Sequence, residues 1–331
     1  MDLSSFFNSY PGFYIVQSFF HTVVSALIIE IAIKAWRIRN PTVRQRFLFI
    51  VIFFPLFSFP LFQFLNPRRT SLYFRLDAFL DTSRWVNMDL WGVVPVRYGF
   101  LLIFGLTALI FLFQELVPIL RHTFESKHAG LTGERAQENP ALSRALEEMP
   151  VGETDIFVLE DEEALLFSTT GKKGSIYVSS GLLQVLKPEQ VRAAVAHEFA
   201  HVVRGRRPFL FIAFLFRALM FYNPVVLMEF RRIVQEDEKI CDDLAVSLTD
   251  DPNALADALK KLYITDEDWK PGRTKKNIVD DMEELEYYSH RLHIESRIAR
   301  LEKGYANSGG PEWFAWVLTL ATVLLVTYYV V

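Results

Sequence analysis

The sequence predicts a mainly α-helical, polytopic membrane protein that also carries a small α+β domain with a short antiparallel sheet. Three observations lead to this fold class. Hydrophobic residues make up 51% of the 331 residues and include 30 phenylalanines, a composition that favours a bilayer protein. The apolar residues are concentrated in a few long stretches. A polar segment that begins at Arg121 then contains the short alternating patterns that are typical of strands.

Four apolar stretches are long enough to cross a membrane as helices. A hydrocarbon core of about 30 Å requires roughly 20 residues at about 1.5 Å per residue. The stretches are residues 13–36, 47–65, 93–120 and 312–331. Pro55 and Pro60 predict a kink in the second stretch. The first stretch lacks a basic leading segment and a convincing cleavage site, so we expect a retained anchor rather than a signal peptide.

Charged residues in the first loop predict the orientation in the membrane. The loop has no acidic residue after Glu30, and short basic loops stay in the cytosol. Its basic residues are Lys34, Arg37, Arg39, Arg44 and Arg46. We therefore expect residues 66–92 to be external and the polar segment from Arg121 to be cytosolic. Glu30 is also spaced to pair with Lys34, one helical turn further on.

The polar segment predicts three strands and then a helix. The strands are expected at residues 154–160, 164–169 and 175–179. The helix should begin near Pro188, because proline suits the first helical position and Glu189 places a carboxylate in the first turn. We expect a small antiparallel sheet beside this helix.

The helix carries the pentapeptide His197-Glu198-Phe199-Ala200-His201. Two histidines four residues apart lie one above the other on a helix face, which is the geometry that holds zinc. Glu198 lies near the metal without having to bind it, so it could take a proton from a water molecule. The motif therefore predicts a zinc site with Glu198 as the general base.

A third protein ligand is expected from a separate helix, since zinc in hydrolases keeps three protein ligands. Glu236 and Glu238 point in nearly opposite directions on a helix, so only one can serve. Glu238 shares the apolar face that contains Cys241, and we therefore prefer it. Asp242, one turn further on, is expected to orient a ligating histidine. We interpret Cys241, the single cysteine, as a small buried residue rather than a ligand.

Residues 208–229 look like another span, but metal geometry argues against a single crossing. His201 and Glu238 must both come within about 2 Å of one ion. A single crossing between them would put them on opposite sides of the bilayer. We therefore expect a re-entrant or interfacial hairpin that is broken near Asn223 and Pro224, with Arg217 disfavouring complete burial in lipid.

Three motifs, taken in order, resemble the membrane-embedded gluzincin metallopeptidases. They are the strand at 174–179 with the Gly-Leu-Leu that follows it, the HEFAH helix, and the Glu-x-x-Cys-Asp run at 238–242. The Phe-Tyr-Asn-Pro segment at 221–224 before the last motif resembles the BlaR/MecR-type sensor-transducer peptidases. The first two motifs also resemble the HtpX-like and CAAX prenyl endopeptidase group. The resemblance covers roughly residues 150–302. Because the chain ends at Val331, we do not expect an external ligand-binding domain after the last span.

The resemblance implies a zincin (gluzincin) catalytic domain with one Zn2+ per chain, held by His197, His201 and Glu238. In such peptidases an edge strand holds an extended substrate by main-chain pairing. Our candidates for this strand are Ser175, Ile176, Tyr177, Val178 and Ser179. A further donor must stabilise the oxyanion of the transition state, and a helix near residues 287–301 offers three candidates. They are His290, His293 and Arg297, the last within an Arg-Ile-x-x-Leu element that also resembles these peptidases.

The predicted organisation has five parts. Three transmembrane helices with a cytosolic first loop and an external second loop occupy residues 1–120. They are followed by a cytosolic catalytic part (121–207), the hydrophobic hairpin (208–229), cytosolic helices with the third ligand (230–307) and a C-terminal transmembrane helix (308–331).

We expect an integral membrane zinc metalloendopeptidase that hydrolyses protein substrates at the cytosolic membrane surface, in regulatory or quality-control proteolysis. The expected location is the bacterial cytoplasmic (inner) membrane. Expected partners are a protein or peptide substrate, including membrane-bound ones, and the lipid bilayer. A net charge of −4 gives no reason to expect nucleic acid.

Two other classes of protein remain open on the sequence alone. A non-catalytic zinc-binding membrane signalling protein would keep the zinc ligands but would not need Glu198. A transporter would need more polar groups inside the spans than His21, Glu30 and Gln114 provide. The sequence does not predict an oligomeric state.

Overall fold

The computed structural model describes residues 3–117, 134–136, 139–147, 149, 154–169, 174–204, 208–264, 278–304 and 312–331. For residues 278–290 it describes the course of the backbone alone. The chain divides into two compact units. The first comprises Met1–Ala129, Pro208–Glu236 and Asn307–Val331, and the second comprises Gly130–Arg207 and Asp237–Ala306.

In chain order, the elements before the sheet domain are α1 (Leu3–Phe7), α2 (Tyr10–Ala35), α3 (Pro41–Leu65), α4 (Leu72–Leu76), α5 (Thr82–Val86), β1 (Asp89–Leu90), β2 (Val94–Pro95) and α6 (Val96–Phe111), with a π-helical turn at Leu112–Leu116. Those of the sheet domain are β3 (Glu134–Arg135), α7 (Pro140–Ala145), β4 (Asp155–Leu159), β5 (Leu166–Thr169), β6 (Ser175–Ser179), α8 (Ser180–Val185) and α9 (Pro188–Val203). The remaining helices are α10 (Pro208–Leu219), α11 (Pro224–Thr249), α12 (Pro252–Tyr263), α13 (Ile278–Lys303) and α14 (Glu312–Tyr328).

Three helices of the first unit are long and apolar enough to cross a membrane. They are α2, α3, and α6 together with the π-helical turn, which form continuous helices of 26, 25 and 21 residues. Two shorter apolar helices, α10 and α14, have 12 and 17 residues. The protein is therefore a mainly α-helical membrane protein with a small α+β domain, as the sequence predicts.

The core of the first unit forms where α2 packs against α3, where α14 packs against both of these helices, and where α10 packs against α3. Phe47, Leu48 and Val51 of α3 are completely buried there, together with Val323 of α14. In contrast, most of the large apolar side chains on α6 are exposed. Such apolar exposure suits a helix that faces lipid rather than water.

Helix α3 continues through both of its prolines. Proline has no N–H, so Pro60 leaves the carbonyl of Leu56, four residues earlier, without its usual helical donor. The hydroxyl of Tyr14 on α2 donates to this carbonyl at 3.0 Å. The hydroxyl of Ser58 donates to the carbonyl of Pro55 at 3.2 Å. Side chains thus satisfy main-chain groups in a helix that lipid surrounds.

Several charged side chains of the first unit form ion pairs. The predicted pair of Glu30 and Lys34 is present at 3.3 Å, and Glu30 also lies 2.8 Å from Arg232. Arg217 of α10 is fully buried, 2.6 Å from Glu115, and its guanidinium lies 4.7 Å from the ring centre of Phe111. Pairing of this kind explains how an apolar helix accommodates an arginine.

The break predicted near Asn223 is present as a turn between α10 and α11. Asn223 is buried, and its side-chain oxygen accepts a hydrogen bond from the main-chain N–H of Val225 at 3.1 Å. This contact satisfies one of the free N–H groups at the start of α11. The amide nitrogen of Asn223 donates to the hydroxyl of Thr22 on α2 at 3.0 Å, which holds the turn against the core of the first unit.

The second unit contains a four-stranded sheet with the order β3-β4-β6-β5. The strands predicted at 154–160, 164–169 and 175–179 are present at 155–159, 166–169 and 175–179, but the sheet is mixed rather than antiparallel. Strands β5 and β6 form an antiparallel hairpin, whereas β4 and β6 are parallel. The chain forms β5 at the edge first and then turns back, so that β6 lies between β5 and β4 and runs in the same direction as β4.

Helix α9 lies against this sheet and against α12, which in turn packs on α13. Ile176 and Val178 of β6 and Val195 of α9 are fully buried in the shared core. Strand β6 leads directly into α8, where the hydroxyl of Ser179 accepts the main-chain N–H of Leu182 at 3.0 Å. These contacts fix the position of α9 relative to strands β5 and β6 within the unit.

Two local features explain why the connection into α9 has this sequence. A Cβ atom at Gly181 would lie 2.1 Å from the carbonyl oxygen of Glu162, so only glycine fits this close approach. At the start of α9, the side chain of Gln190 accepts the main-chain N–H of Lys187 at 3.0 Å, and Pro188 occupies the first turn.

Candidate metal centre

Three ligand atoms from two helices converge in the second unit. Nε2 of His197 lies 3.1 Å from Nε2 of His201 and 3.4 Å from Oε2 of Glu238. Nε2 of His201 lies 3.7 Å from Oε1 of Glu238. Ligand atoms that share a tetrahedral zinc ion at about 2.0–2.1 Å lie roughly 3.3 Å apart. The spacing and the chemistry of this donor set therefore fit a zinc ion, and these three residues could hold it.

The structure distinguishes between the two glutamates considered as the third ligand. Glu238 approaches both histidines, as the alignment of its helix face predicts. Glu236 belongs to the first unit, where its carboxylate lies 3.3 Å from Arg44. Two positions along a helix correspond to about 200°, so the two carboxylates leave α11 on nearly opposite sides.

Asp242 lies behind His197, where the sequence places a carboxylate that orients a ligating histidine. Its Oδ1 is 3.0 Å from Nδ1 of His197, on the side of the ring away from the converging Nε2 atoms. Arg297 from α13 holds the same carboxylate with two hydrogen bonds of 2.6 and 2.8 Å. Asp242 and Arg297 are both buried. An aspartate in this position fixes the orientation of the imidazole.

These contacts shift the pKa values of the groups around the metal position. Burial acts to lower the pKa of His197, but the carboxylates of Asp242 and Glu238 outweigh it and raise the pKa to about 9. Burial acts to raise the pKa of Asp242 and of Glu238, yet their positive neighbours, Arg297 and His197, hold both below their usual values. Both carboxylates are therefore ionised at neutral pH and suit a divalent cation.

A cavity of about 350 Å³ opens beside the three ligand atoms. Glu198 is half-buried and lines this cavity, together with His197, His201, Glu238 and Arg297. One wall consists of apolar side chains, and another is formed by β5 together with Ala164. The remaining lining residues are Ala164, Leu166, Phe167, Ser168, Ala194, Leu255, Ala258, Leu259, Leu262 and Tyr263.

The prediction that residues 175–179 form the substrate-pairing edge strand is wrong. Strand β6 pairs with β4 on one side and with β5 on the other, so its main chain is already occupied. Among the described strands, β5 is the edge beside the cavity. The sequence offers one signal for this strand order. Strand β5 is short and ends in Ser168 and Thr169, and both short length and polar residues are typical of edge strands.

The pairing of β5 determines which of its main-chain groups face outward. The N–H of Ser179 donates to the carbonyl of Leu165 at 3.0 Å, and the register pairs Ser168 with Ile176. Antiparallel pairs alternate between hydrogen-bonded and non-hydrogen-bonded positions. The main-chain N–H and C=O groups of Leu166 and Ser168 therefore point away from β6, on the free side of the strand.

The three candidate donors on α13 have different positions. Arg297 lines the cavity, and its Nη1 lies 3.3 Å from Oε2 of Glu238. His293 is absent from the described cavity lining, and burial followed by the charge of Arg297 lowers its pKa to about 4. The side chain of His290 lies outside the described residues. Arg297 is thus the one of the three that the structure brings to the site.

Sequence reasoning missed two groups at the site. Tyr263, at the end of α12, lines the cavity, and no motif marks it. Burial raises the pKa of its hydroxyl. The second group surrounds the outer side of His201: Sγ of Cys241 lies 3.1 Å from Nδ1 of His201, and Arg204 contacts both Cys241 at 3.6 Å and Asp237 at 2.8 Å. Cys241 is fully buried, as expected, but it contacts His201, one of the candidate ligands.

A membrane protein in which an HExxH helix and a glutamate from another helix surround one point has the organisation of a membrane metallopeptidase. A sequence profile of the BlaR1 peptidase M56 family matches residues 90–267, which is more than half of the chain. The chain belongs to this family of BlaR/MecR-type membrane metallopeptidases, and the resemblance to the BlaR/MecR-type peptidases is confirmed. Neither the curated proteins nor the solved structures contain a significant match to the chain.

Proposed function

We propose that this protein is an integral membrane zinc endopeptidase with one zinc ion per chain. His197, His201 and Glu238 hold the ion, and Glu198 is the general base. The observation that carries the proposal is the convergence of the three ligand atoms, 3.1–3.7 Å apart, on a cavity that Glu198 also lines. A structural zinc site would have four protein ligands and no adjoining cavity, whereas a catalytic site keeps one position open.

The reaction is peptide hydrolysis, in which water adds to the carbonyl carbon and the bond to the nitrogen breaks. Bound zinc supplies a Lewis acid that lowers the pKa of water and polarises the carbonyl. Glu198 takes the proton from the attacking water and gives it to the departing amine, so the carboxylate is regenerated in each cycle. Its position in the cavity wall, next to a ligand yet outside the ligand set, suits this role.

The oxyanion of the transition state requires a positive or hydrogen-bonding group. Arg297 suits this role. Asp242 fixes its guanidinium through Nε and Nη2, while Nη1 is directed towards Glu238 at the cavity. A group held in this way need not reorganise when charge develops. We therefore retain Arg297 as the proposed stabiliser and infer that the Asp242 pair preorganises it.

The substrate is a protein segment that binds in an extended conformation along β5. The outward main-chain groups of Leu166 and Ser168 would pair with the substrate backbone beside Glu198. Ser168→Pro removes one outward N–H without removing a ladder hydrogen bond, while Ser168→Ala keeps that N–H. We expect kcat/KM to fall at least about tenfold in the proline variant alone, the cost of roughly one strong hydrogen bond. Equal activity of both variants would exclude β5 as the pairing strand.

The basic first loop supports a cytosolic location of the site at the membrane surface, in a bacterial cytoplasmic membrane. The five-part organisation predicted from the sequence remains our proposal, including a re-entrant or interfacial segment at 208–229. Helix α10 and the turn before Pro224 are compatible with this segment, because the apolar helix has only 12 residues.

Glu198→Gln tests the assignment of roles directly. The amide keeps the size of the side chain but cannot act as a base, so zinc content should remain near one per chain while cleavage is lost. Proteomic comparison of membranes that contain the wild type or the variant would identify substrates as proteins cleaved only by the wild type. A variant that cleaves at the wild-type rate, or one that loses its metal, would show that Glu198 is not the base.

A further inference from the structure

The ring nitrogens of His201 have different tasks if its Nε2 binds zinc. A neutral imidazole carries one proton, so Nδ1 must then carry the N–H. A buried N–H requires an acceptor. Sγ of Cys241 lies 3.1 Å from this nitrogen, and both residues are buried. The sulfur atom is therefore in the position to accept the hydrogen bond from His201.

The surroundings of Cys241 repeat those of Asp242. Behind His197, the carboxylate of Asp242 is held by Arg297. Behind His201, the sulfur of Cys241 lies 3.6 Å from Nη1 of Arg204. Each histidine thus has an acceptor at its outer nitrogen, and each acceptor has an arginine behind it.

Asp237 holds Arg204 in place for this contact. The Asp237 carboxylate accepts from Nη2 of Arg204 at 2.8 Å, and its main-chain carbonyl accepts from Nη1 at 3.4 Å. The Asp237 carboxylate is almost completely buried. Arg204, fixed in this way, in turn holds the sulfur in place 3.1 Å from Nδ1 of His201.

We propose that Cys241 is a positioning residue that orients His201 for zinc through a hydrogen bond from Nδ1–H to Sγ. This inference rests on the proposed zinc site, because it requires Nε2 of His201 to be a ligand. Outer partners of ligating histidines fix the ring and raise its basicity, and their loss costs about 10–100-fold in metal affinity. The single cysteine of this chain performs for His201 the task that Asp242 performs for His197.

Two other roles for Cys241 conflict with the geometry. As a zinc ligand it would have to lie about 2.3 Å from the ion, on the Nε2 side of His201, whereas it contacts Nδ1. His201, Asp237 and Cys241 could together surround a second cation. However, the guanidinium of Arg204 already supplies a positive charge to Asp237 and Cys241, and a second cation would be repelled.

The test measures zinc affinity of the full-length protein in detergent by competition with a chromophoric chelator. Cys241→Ser keeps an acceptor, whereas Cys241→Val is close to cysteine in size but accepts no hydrogen bond. We expect the serine variant to remain within about threefold of the wild type and the valine variant to lose at least about tenfold. The d–d spectrum of the cobalt(II)-substituted protein should change in the valine variant and be retained with serine, which a loss of packing alone would not produce.

His201→Ala provides the reference that separates this inference from the zinc site itself. If His201→Ala binds zinc as tightly as the wild type, then the proposed zinc site is wrong. If His201→Ala loses zinc while Cys241→Val keeps wild-type affinity and spectrum, then the zinc site stands and the positioning role of Cys241 is wrong. Equal losses in the serine and valine variants would also overturn the positioning role.

Discussion

Two neighbouring carboxylates on α11 allow a sharp test of the charge network behind the metal position. Asp242 pairs with Arg297, and the side chains are 1% and 7% exposed. Asp243 pairs with Arg300 at 2.6 Å, but these side chains are 29% and 24% exposed. The two pairs join the same helices, α11 and α13, and differ mainly in burial. Changing each aspartate to asparagine removes one charge while nearly preserving side-chain volume.

The burial of each pair determines how much stability the substitution is expected to cost. Removing one partner of a buried ion pair leaves an uncompensated charge and costs about 3–5 kcal/mol. An exposed pair contributes only about 0–1 kcal/mol, because water screens it. Asp242→Asn should therefore destabilise the second unit by several kcal/mol more than Asp243→Asn. Since Asp242 also orients His197, we expect zinc affinity to fall about 10–100-fold in the first variant alone.

Thermal unfolding of the detergent-solubilised protein, with zinc and after chelation, would measure both effects. The double variant Asp242→Asn/Arg297→Met should regain part of the stability lost by Asp242→Asn, because it no longer contains the buried guanidinium charge that Asp242 balances in the wild type. Equal unfolding temperatures for Asp242→Asn and Asp243→Asn would refute the assignment of Asp242 and Arg297 as a buried pair. A double variant less stable than Asp242→Asn would refute the reasoning about the buried charge of Arg297.

Two further outcomes are expected. Glu238→Ala should lower zinc affinity at least about tenfold more than Glu236→Ala, because only the first removes a proposed ligand. Metal analysis after dialysis would show the difference, and equal occupancy would move the third ligand elsewhere. In a Cys241→Ala background, single cysteines at Val203 and Ser247, both exposed, should react with a thiol reagent admitted only to the cytosolic side. Labelling from opposite sides would exclude a shared ion, since a single crossing would then separate the ligands.

The three candidate metal ligands can be predicted from the sequence because the spacing that marks them is local. Two histidines four residues apart must share a helix face, and the apolar face of the next helix separates Glu238 from Glu236. The spans were equally accessible, since lipid requires long apolar helices. In each case, the physical cause acts within one element and therefore leaves a pattern in the sequence.

Strand order and the partners of the ligands depend on contacts between distant residues. The alternation in 175–179 predicts a strand, but not that β4 would pair beside it in parallel. The charge and the motif of Arg297 predict a role at the site, but its hydrogen bonds to Asp242, 55 residues away, are visible only in the fold. Tyr263 and Arg204 have no spacing that marks them. Such features arise from packing between distant segments, and they produce no regular spacing of residues in a single sequence.

The hydrogen bond from Tyr14 to the carbonyl of Leu56, which Pro60 leaves without a helical donor, also determines how α2 and α3 align with one another. Apolar helices in lipid slide past each other easily, because one hydrocarbon surface resembles the next. Because Pro60 has no N–H, the carbonyl of Leu56 is available as an acceptor at one level along α3, and the hydroxyl of Tyr14 on α2 donates to it. A shift by one turn would separate them and leave a carbonyl in hydrocarbon, which costs several kcal/mol. The missing N–H at Pro60 thus fixes the axial alignment of α3 relative to α2.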